Sequence, residues 1–189
     1  MAFQFRFSKE VHDIVKRGGK CLLPVFALGR AQELLLILEE YWQSHEELKG
    51  VPIYYPCALA AKSMIIFQTY FNMMGANVQE KFKNGINPFN FKFIETLKNL
   101  DSWNENEPCV IMTSPGMLQN GYSREIFEKW CHDERNGIVL TGYCVKGTLA
   151  EQIMSHPDKI EKMDKCHVDL KMSISSIRFL NFNLTLKFI

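Results

Sequence analysis

Apolar residues recur along this chain in two alternating rhythms, short unbroken runs and stripes at three- and four-residue spacing. The runs predict buried strands and the stripes predict amphipathic helices. Val11, Ile14 and Val15 share one helical face, with Ser8 as the expected cap and Gly18-Gly19 as the stop, because glycine enters left-handed backbone at little cost. Residues 20–26 (KCLLPVF) read as a buried strand, in which Pro24, lacking an amide to donate, argues for an edge position or a bulge. After a short turn at 27–30, a long helix is expected to about residue 43, striped by Leu34, Leu35, Leu38, Tyr41 and Trp42.

Residues 51–55 (VPIYY) predict the next strand, and 59–73 a helix that carries Met64, Ile65, Phe67 and Phe71 near one side. Between 75 and 107 the pattern weakens into loop chemistry around short elements such as 89–93. Residues 109–113 (CVIMT) form a clear buried strand, and 114–117 lead to a helix at about 123–131. Asn136-Gly137 turns the chain into a strand at 138–141, followed by a loop at 142–147 and a helix capped by Thr148.

Strand, loop and helix thus follow one another three times. Such alternation predicts an α/β domain, a mostly parallel sheet with helices on both faces. Ligands of that architecture gather at the carboxyl ends of the strands, where 27–30, 114–117 and 142–148 fall. There is no internal repeat and no Ser/Gly linker, so one domain is expected.

The 189 residues leave room for one core. With 22 Lys+Arg against 21 Asp+Glu, the net charge is +1, which excludes a polybasic tail, so any nucleic-acid contact has to be local. The most apolar stretch, 34–38, is bounded by Glu33 and Glu39 and is far short of the roughly 18 apolar residues of a membrane span, so no membrane partner is expected. Residues 1–7 are too short for a signal peptide. The six cysteines are widely spaced, which suits a reducing compartment. No two of the five histidines stand at ligand spacing on one element, so no metal site is expected in this chain.

Candidate chemistry sits at the strand ends. Residues 142–148 (GYCVKGT) lack the spacing of a phosphate loop, in which Lys directly precedes the hydroxyl residue. The plain reading is a turn with positive φ at Gly147 and Thr148 as cap; the alternative is an amide-lined lip touching a phosphate. Ser114-Pro115-Gly116 follows a strand but lacks the nucleophile-elbow pattern and a nearby His or Asp. Cys144 has no His placed to activate it. Arg30 opens a helix, where a cation opposes the dipole; it is either kept for an anion or paired with Glu33. Arg30, Ser114, Gly116 and Thr148 are therefore the candidate contacts to an anion, and no catalytic set is visible.

The wording of these loops goes further than their spacing. Residues 20–36 (KCLLPVFALGRAQELLL), 111–128 (IMTSPGMLQNGYSREIFE) and 136–154 (NGIVLTGYCVKGTLAEQIM) resemble the β-CASP domain of the metallo-β-lactamase superfamily of nucleases. Residues 39–55 add to the match. Ser123, Arg124, Glu125, Phe127 and Trp130 favour the branch that cleaves pre-mRNA at the 3′-end polyadenylation site over its Integrator-complex relative.

The resemblance implies a β-CASP domain over residues 8–174, inserted in a metallo-β-lactamase domain, with RNA cut in the cleft between the two. It implies two zinc ions that activate a water, held by a His-x-His-x-Asp-His motif and other lactamase-domain residues, none of which occurs in this sequence. Pre-mRNA and other cleavage and polyadenylation factor subunits, including a catalytically inactive paralogue and a scaffold protein, are the implied partners, and the nucleus the implied location. Past residue 173 the family carries a Ser-Phe-Ser-Ala-His type motif, whereas 175–189 has no His and reads as a divergent or non-homologous tail. The chain alone is thus expected to bind no zinc and cleave no RNA. The alternative is a non-catalytic RNA- or protein-binding α/β module.

Overall fold

The computed structural model describes residues 2–26, 29–56, 66, 69–70, 72, 75–95 and 106–177. Helix α1 (Ala2–Lys16) leads to strand β1 (Cys21–Pro24) and helix α2 (Arg30–Ser44); a single 3-10 turn and β2 (Ile53–Tyr54) follow. Next come α3 (Ala76–Lys83), β3 (Ile94–Glu95), β4 (Val110–Thr113), α4 (Gly121–Trp130), β5 (Gly137–Leu140) and α5 (Leu149–Ile153). Strands β6 (Lys159–Glu161), β7 (His167–Asp169) and β8 (Ser173–Ser176) end the described chain.

Six strands form one sheet in the order β3-β2-β4-β1-β5-β8, and every pairing in it is parallel. The remaining two, β6 and β7, make a separate antiparallel ribbon. Because successive side chains of a strand point to opposite faces, the unbroken apolar runs feed two cores at once. Cys21, Leu23, Ile53, Val110, Met112 and Val139 pack with Phe7, Val11, Leu34, Leu38 and Trp42 of α1 and α2. Leu22, Tyr54, Ile111, Ile138 and Leu140 pack on the other face with Ile126, Phe127 and Trp130 of α4 and Leu149 and Ile153 of α5. Helices on both faces of a parallel sheet are what the alternation predicted.

Two local expectations are corrected. Ser8 does not cap the first helix; it lies inside α1, 2% exposed, because Phe3, Phe7, Val11 and Ile14 continue the apolar stripe back towards the start of the chain. The helix does stop where expected. Gly18 has φ +80, its amide donates to Val15 O and that of Gly19 to Ile14 O, the paired bonds that close a helix end.

Pro24 does not mark an edge, since β1 is flanked by β4 and β5. The reason is parity. The amides of Cys21 and Val25 donate to Cys109 and Thr113 on the β4 side, so position 24 faces β5, whose pairing with β1 is recorded only for Cys21 and Leu22. The missing amide of Pro24 therefore falls beyond that ladder.

The short element expected at 89–93 is neither helix nor strand; it lies between α3, which ends at Lys83, and β3, which begins at Ile94. The helix expected at 59–73 falls largely outside the described residues, as do residues 178–189. The boundary at 174 drawn from the sequence lies within β8, which pairs with β5 from Ser173 to Ser176.

Candidate functional site

At the carboxyl ends of β1, β4 and β5 the sheet opens into a crevice of about 230 Å³. The chain reverses direction here: from β1 it runs to β2 and β3 on one side, then returns through β4 and crosses to β5 on the other. Such a reversal leaves a gap between diverging loops, and it is where open parallel sheets bind ligands. The floor is apolar, with Pro24, Val25, Met117 and Leu140. Phe26, Tyr143 and Cys144 also line it, and among the described lining residues Arg30 is the charged one.

Each wall has a local cause. Arg30 starts α2 directly after Gly29, whose φ of +89 lets the chain turn sharply from strand to helix and whose place as cap brings no side-chain bond. Arg30 Nε stands 3.9 Å from Glu33 Oε2, a half-exposed pairing. Burial pushes the Glu33 carboxyl up while the guanidinium pulls it down. Gly116 is buried against β1: a Cβ there would meet the Val25 backbone at 3.4 Å. Met117 is fixed from the far side, where its carbonyl accepts from Ala150 N and its sulfur from Val145 N at 3.5 Å.

Of the four residues expected at the site, Arg30 and Gly116 line the crevice together. Ser114 lies next to Gly116 in the same loop, joined to Pro115 by a cis bond, but does not line the cavity, and its carbonyl accepts from Ser123 N. Thr148 caps α5: its hydroxyl accepts from Glu151 N and donates to Val145 O at 2.6 Å. Gly147 before it has φ +82, so the plain reading of this turn describes its geometry. Sequence reasoning missed Phe26 and Tyr143. Their signal was an aromatic residue two or three positions past the end of a strand that had already filled its core positions.

The cysteines offer no nucleophile near neutral pH where a shift is resolved. Burial pushes the Cys109 and Cys131 thiols up to about 12 and 11, and Cys21 higher still. Two histidines far apart in sequence do meet. His12 on α1 and His45 after α2 stand with ring centroids 5.5 Å apart, and His12 Nδ1 lies 3.0 Å from the Tyr41 hydroxyl. Even so, among the described residues no three His, Cys, Asp or Glu side chains are placed to hold a metal ion. No described helix is long and apolar enough to cross a membrane.

A parallel sheet covered on both faces, with a crevice between the loops at its carboxyl ends and Arg30 lining it, defines an open α/β domain. The chain belongs to the Beta-Casp domain family, whose model matches residues 31–153. It is 54% identical over 174 residues to cleavage and polyadenylation specificity factor subunit 3 of Dictyostelium discoideum, covering 92% of this chain and 22% of that protein. It is 49% identical over 174 residues to cleavage and polyadenylation specificity factor 73 of Drosophila melanogaster, covering 92% and 25%. It is 47% identical over 176 residues to endoribonuclease YSH1 of Mycosarcoma maydis, covering 93% and 20%. The chain thus spans about a fifth to a quarter of the length of these relatives.

Proposed function

We propose that this domain serves in an endoribonuclease that cleaves pre-mRNA at the 3′ end, as one wall of the cleft that holds the RNA. The reading is carried by one observation: proteins named as subunit 3 of the cleavage and polyadenylation specificity factor and as endoribonucleases match nine-tenths of the chain at about half identity. The crevice suits that role. A strand carrying one negative charge per nucleotide meets Arg30 at the rim and no carboxylate among the lining residues.

Arg30 and the backbone at Gly116 would touch phosphate through charge and amide rather than read bases. Ser114 and Thr148 would stand further from the RNA, since neither lines the crevice and both the amide and the hydroxyl of Thr148 donate to Val145 O. The zinc pair, which would activate the attacking water, belongs in this proposal to a metallo-β-lactamase domain. Pre-mRNA, a catalytically inactive paralogue and a scaffold protein of the same factor are the proposed partners, in the nucleus.

The test uses the 189-residue polypeptide and the full-length protein side by side. The polypeptide alone is expected to hold no stoichiometric zinc and to leave RNA uncut, while Arg30→Glu in the full-length protein weakens binding of single-stranded RNA about ten-fold and flattens its salt dependence. Two zinc ions per 189-residue chain, or chelator-sensitive cleavage by it, would overturn the reading.

A further inference from the structure

Two aromatic side chains at the crevice turn much of their surface to water. Phe26 is 53% exposed and Tyr143 60%, and both line the same cavity as Arg30. Exposed aromatic surface forgoes the stabilisation that burial would give, so two such residues at one opening mark a place where something else covers them. Both are carried on rigid supports. Phe26 follows Val25, whose amide is bonded to Thr113 O on the neighbouring strand, and Tyr143 opens the loop that Met117 anchors through Val145.

The chemistry of the cavity narrows the occupant. Among its described lining residues are apolar Pro24, Val25, Met117 and Leu140, the rings of Phe26 and Tyr143, and the guanidinium of Arg30. A nucleobase with its phosphate has the matching parts: a flat π surface that stacks on aromatic rings, a rim that needs no charged partner, and an anion within one bond of the sugar. A base in a duplex cannot enter, because its faces are already stacked on its neighbours. An apolar peptide side chain would suit the apolar lining but bring no anion to the crevice.

We propose that this crevice receives one unpaired base of a single-stranded RNA, packed against Tyr143 and Phe26, with an adjoining phosphate at Arg30. The inference rests on the RNA-cleft reading above and adds to it a base pocket and two residues that make it. Specificity here is for single strands over duplex, not for one base, since every base has a π face.

The experiment is equilibrium binding of the full-length protein to a short single-stranded oligoribonucleotide, to a series in which one abasic nucleotide is walked along it, and to the same sequence as duplex. Tyr143→Ala and Phe26→Ala are each expected to weaken single-strand binding roughly ten-fold, with the salt dependence unchanged, whereas Tyr143→Phe keeps the parent affinity. At one position the abasic nucleotide should weaken the parent by a similar factor and have no further effect on Tyr143→Ala, the signature of two partners in one contact.

Thermal melts of the exposed aromatic variants should match the parent, which separates lost contact from lost fold. Parent-like affinity in both alanine variants, or an abasic penalty equal in parent and Tyr143→Ala at every position, overturns the base pocket. If Arg30→Glu lowers binding in that same experiment, the RNA-cleft reading survives without the pocket. A parent that binds no single-stranded RNA overturns both.

Discussion

The two ends of the sheet are built on opposite plans. At the amino ends of β1, β5 and β8 the chain is knitted shut. Arg17 donates to the carbonyls of Arg135 and Asn136, at 2.6 and 2.7 Å, and to the Ser173 hydroxyl. Asn136, 4% exposed, accepts from Lys20 N through Oδ1 and donates to Trp130 O through Nδ2. Lys20 Nζ lies 5.5 Å from the centre of the Trp130 ring. At the carboxyl ends the loops part instead, leaving a cavity, an Arg at its rim and two exposed aromatic rings. The contrast teaches where the fold keeps its stability and where it can tolerate exposed surface for a ligand. Polar groups at the closed end bond across segments far apart in the chain, whereas those of the 145–151 turn at the open end bond to near neighbours.

The sharpest break of the comparison is at Gly19. A Cβ there would come within 1.8 Å of Arg135 O, a main-chain atom that cannot swing aside. Gly19→Ala should therefore destabilise the chain by about 3 kcal/mol, read as a lower midpoint in denaturant melts. A parent-like midpoint would mean that α1 and the 135–137 turn are not locked together. Asn136→Ala comes next. It strands Lys20 N and leaves Trp130 O with Asp133 N as its remaining donor, and should cost about 2 kcal/mol, with amide exchange accelerated at Lys20 and Gly137. Equal effects from a loop substitution at the open end would erase the distinction between the two ends.

How much of this was legible beforehand depends on the range of the interaction. Strands β1, β4 and β5 and helix α2 could be read because an apolar run bounded by Gly18-Gly19, Asn136-Gly137 or a strand-end loop carries its own boundaries. The Arg30 and Gly116 positions followed from a rule about strand ends that needs no tertiary contact. Pro24 misled because the sequence cannot tell which neighbour a given amide faces, and that parity is fixed only by pairing. Ser8 misled because the aromatic pair Phe3 and Phe7 extends the helix before it. Phe26 and Tyr143 were hidden for a related reason: beside a strand an aromatic residue reads as core, and only the assembled sheet shows it facing a cavity. The knitted end, with Arg17 meeting residues more than a hundred positions away, has no local signal at all.

At the open end, the largest stability effect should come from a cap, not from the cavity. Thr148→Ala removes the oxygen that accepts from Glu151 N at the start of α5, and a lost cap of this kind costs about 1 kcal/mol. Thr148→Ser keeps the hydroxyl and should restore the parent melt. If Thr148→Ala destabilised as much as Asn136→Ala, the open end would be as tightly built as the closed one, and the comparison would fail.

The smallest effect belongs to the closed end again and is lost in acid. Asp133 accepts side-chain and backbone bonds from Arg135, which hold its carboxyl down at about 2 against an ordinary 3.8. A carboxyl depressed in the folded state contributes stability that is present above its unfolded value and is lost as pH falls through its folded one. The stability difference between parent and Asp133→Asn should therefore be constant above about pH 4 and shrink between about pH 4 and pH 2. The pair is solvent-facing, with the Arg135 side chain 65% exposed, so the difference should be small and should fade further in high salt. A difference that grew as pH fell would show that this ion pair does not close the turn, and that the amino-end lock rests on Arg17 and Asn136 alone.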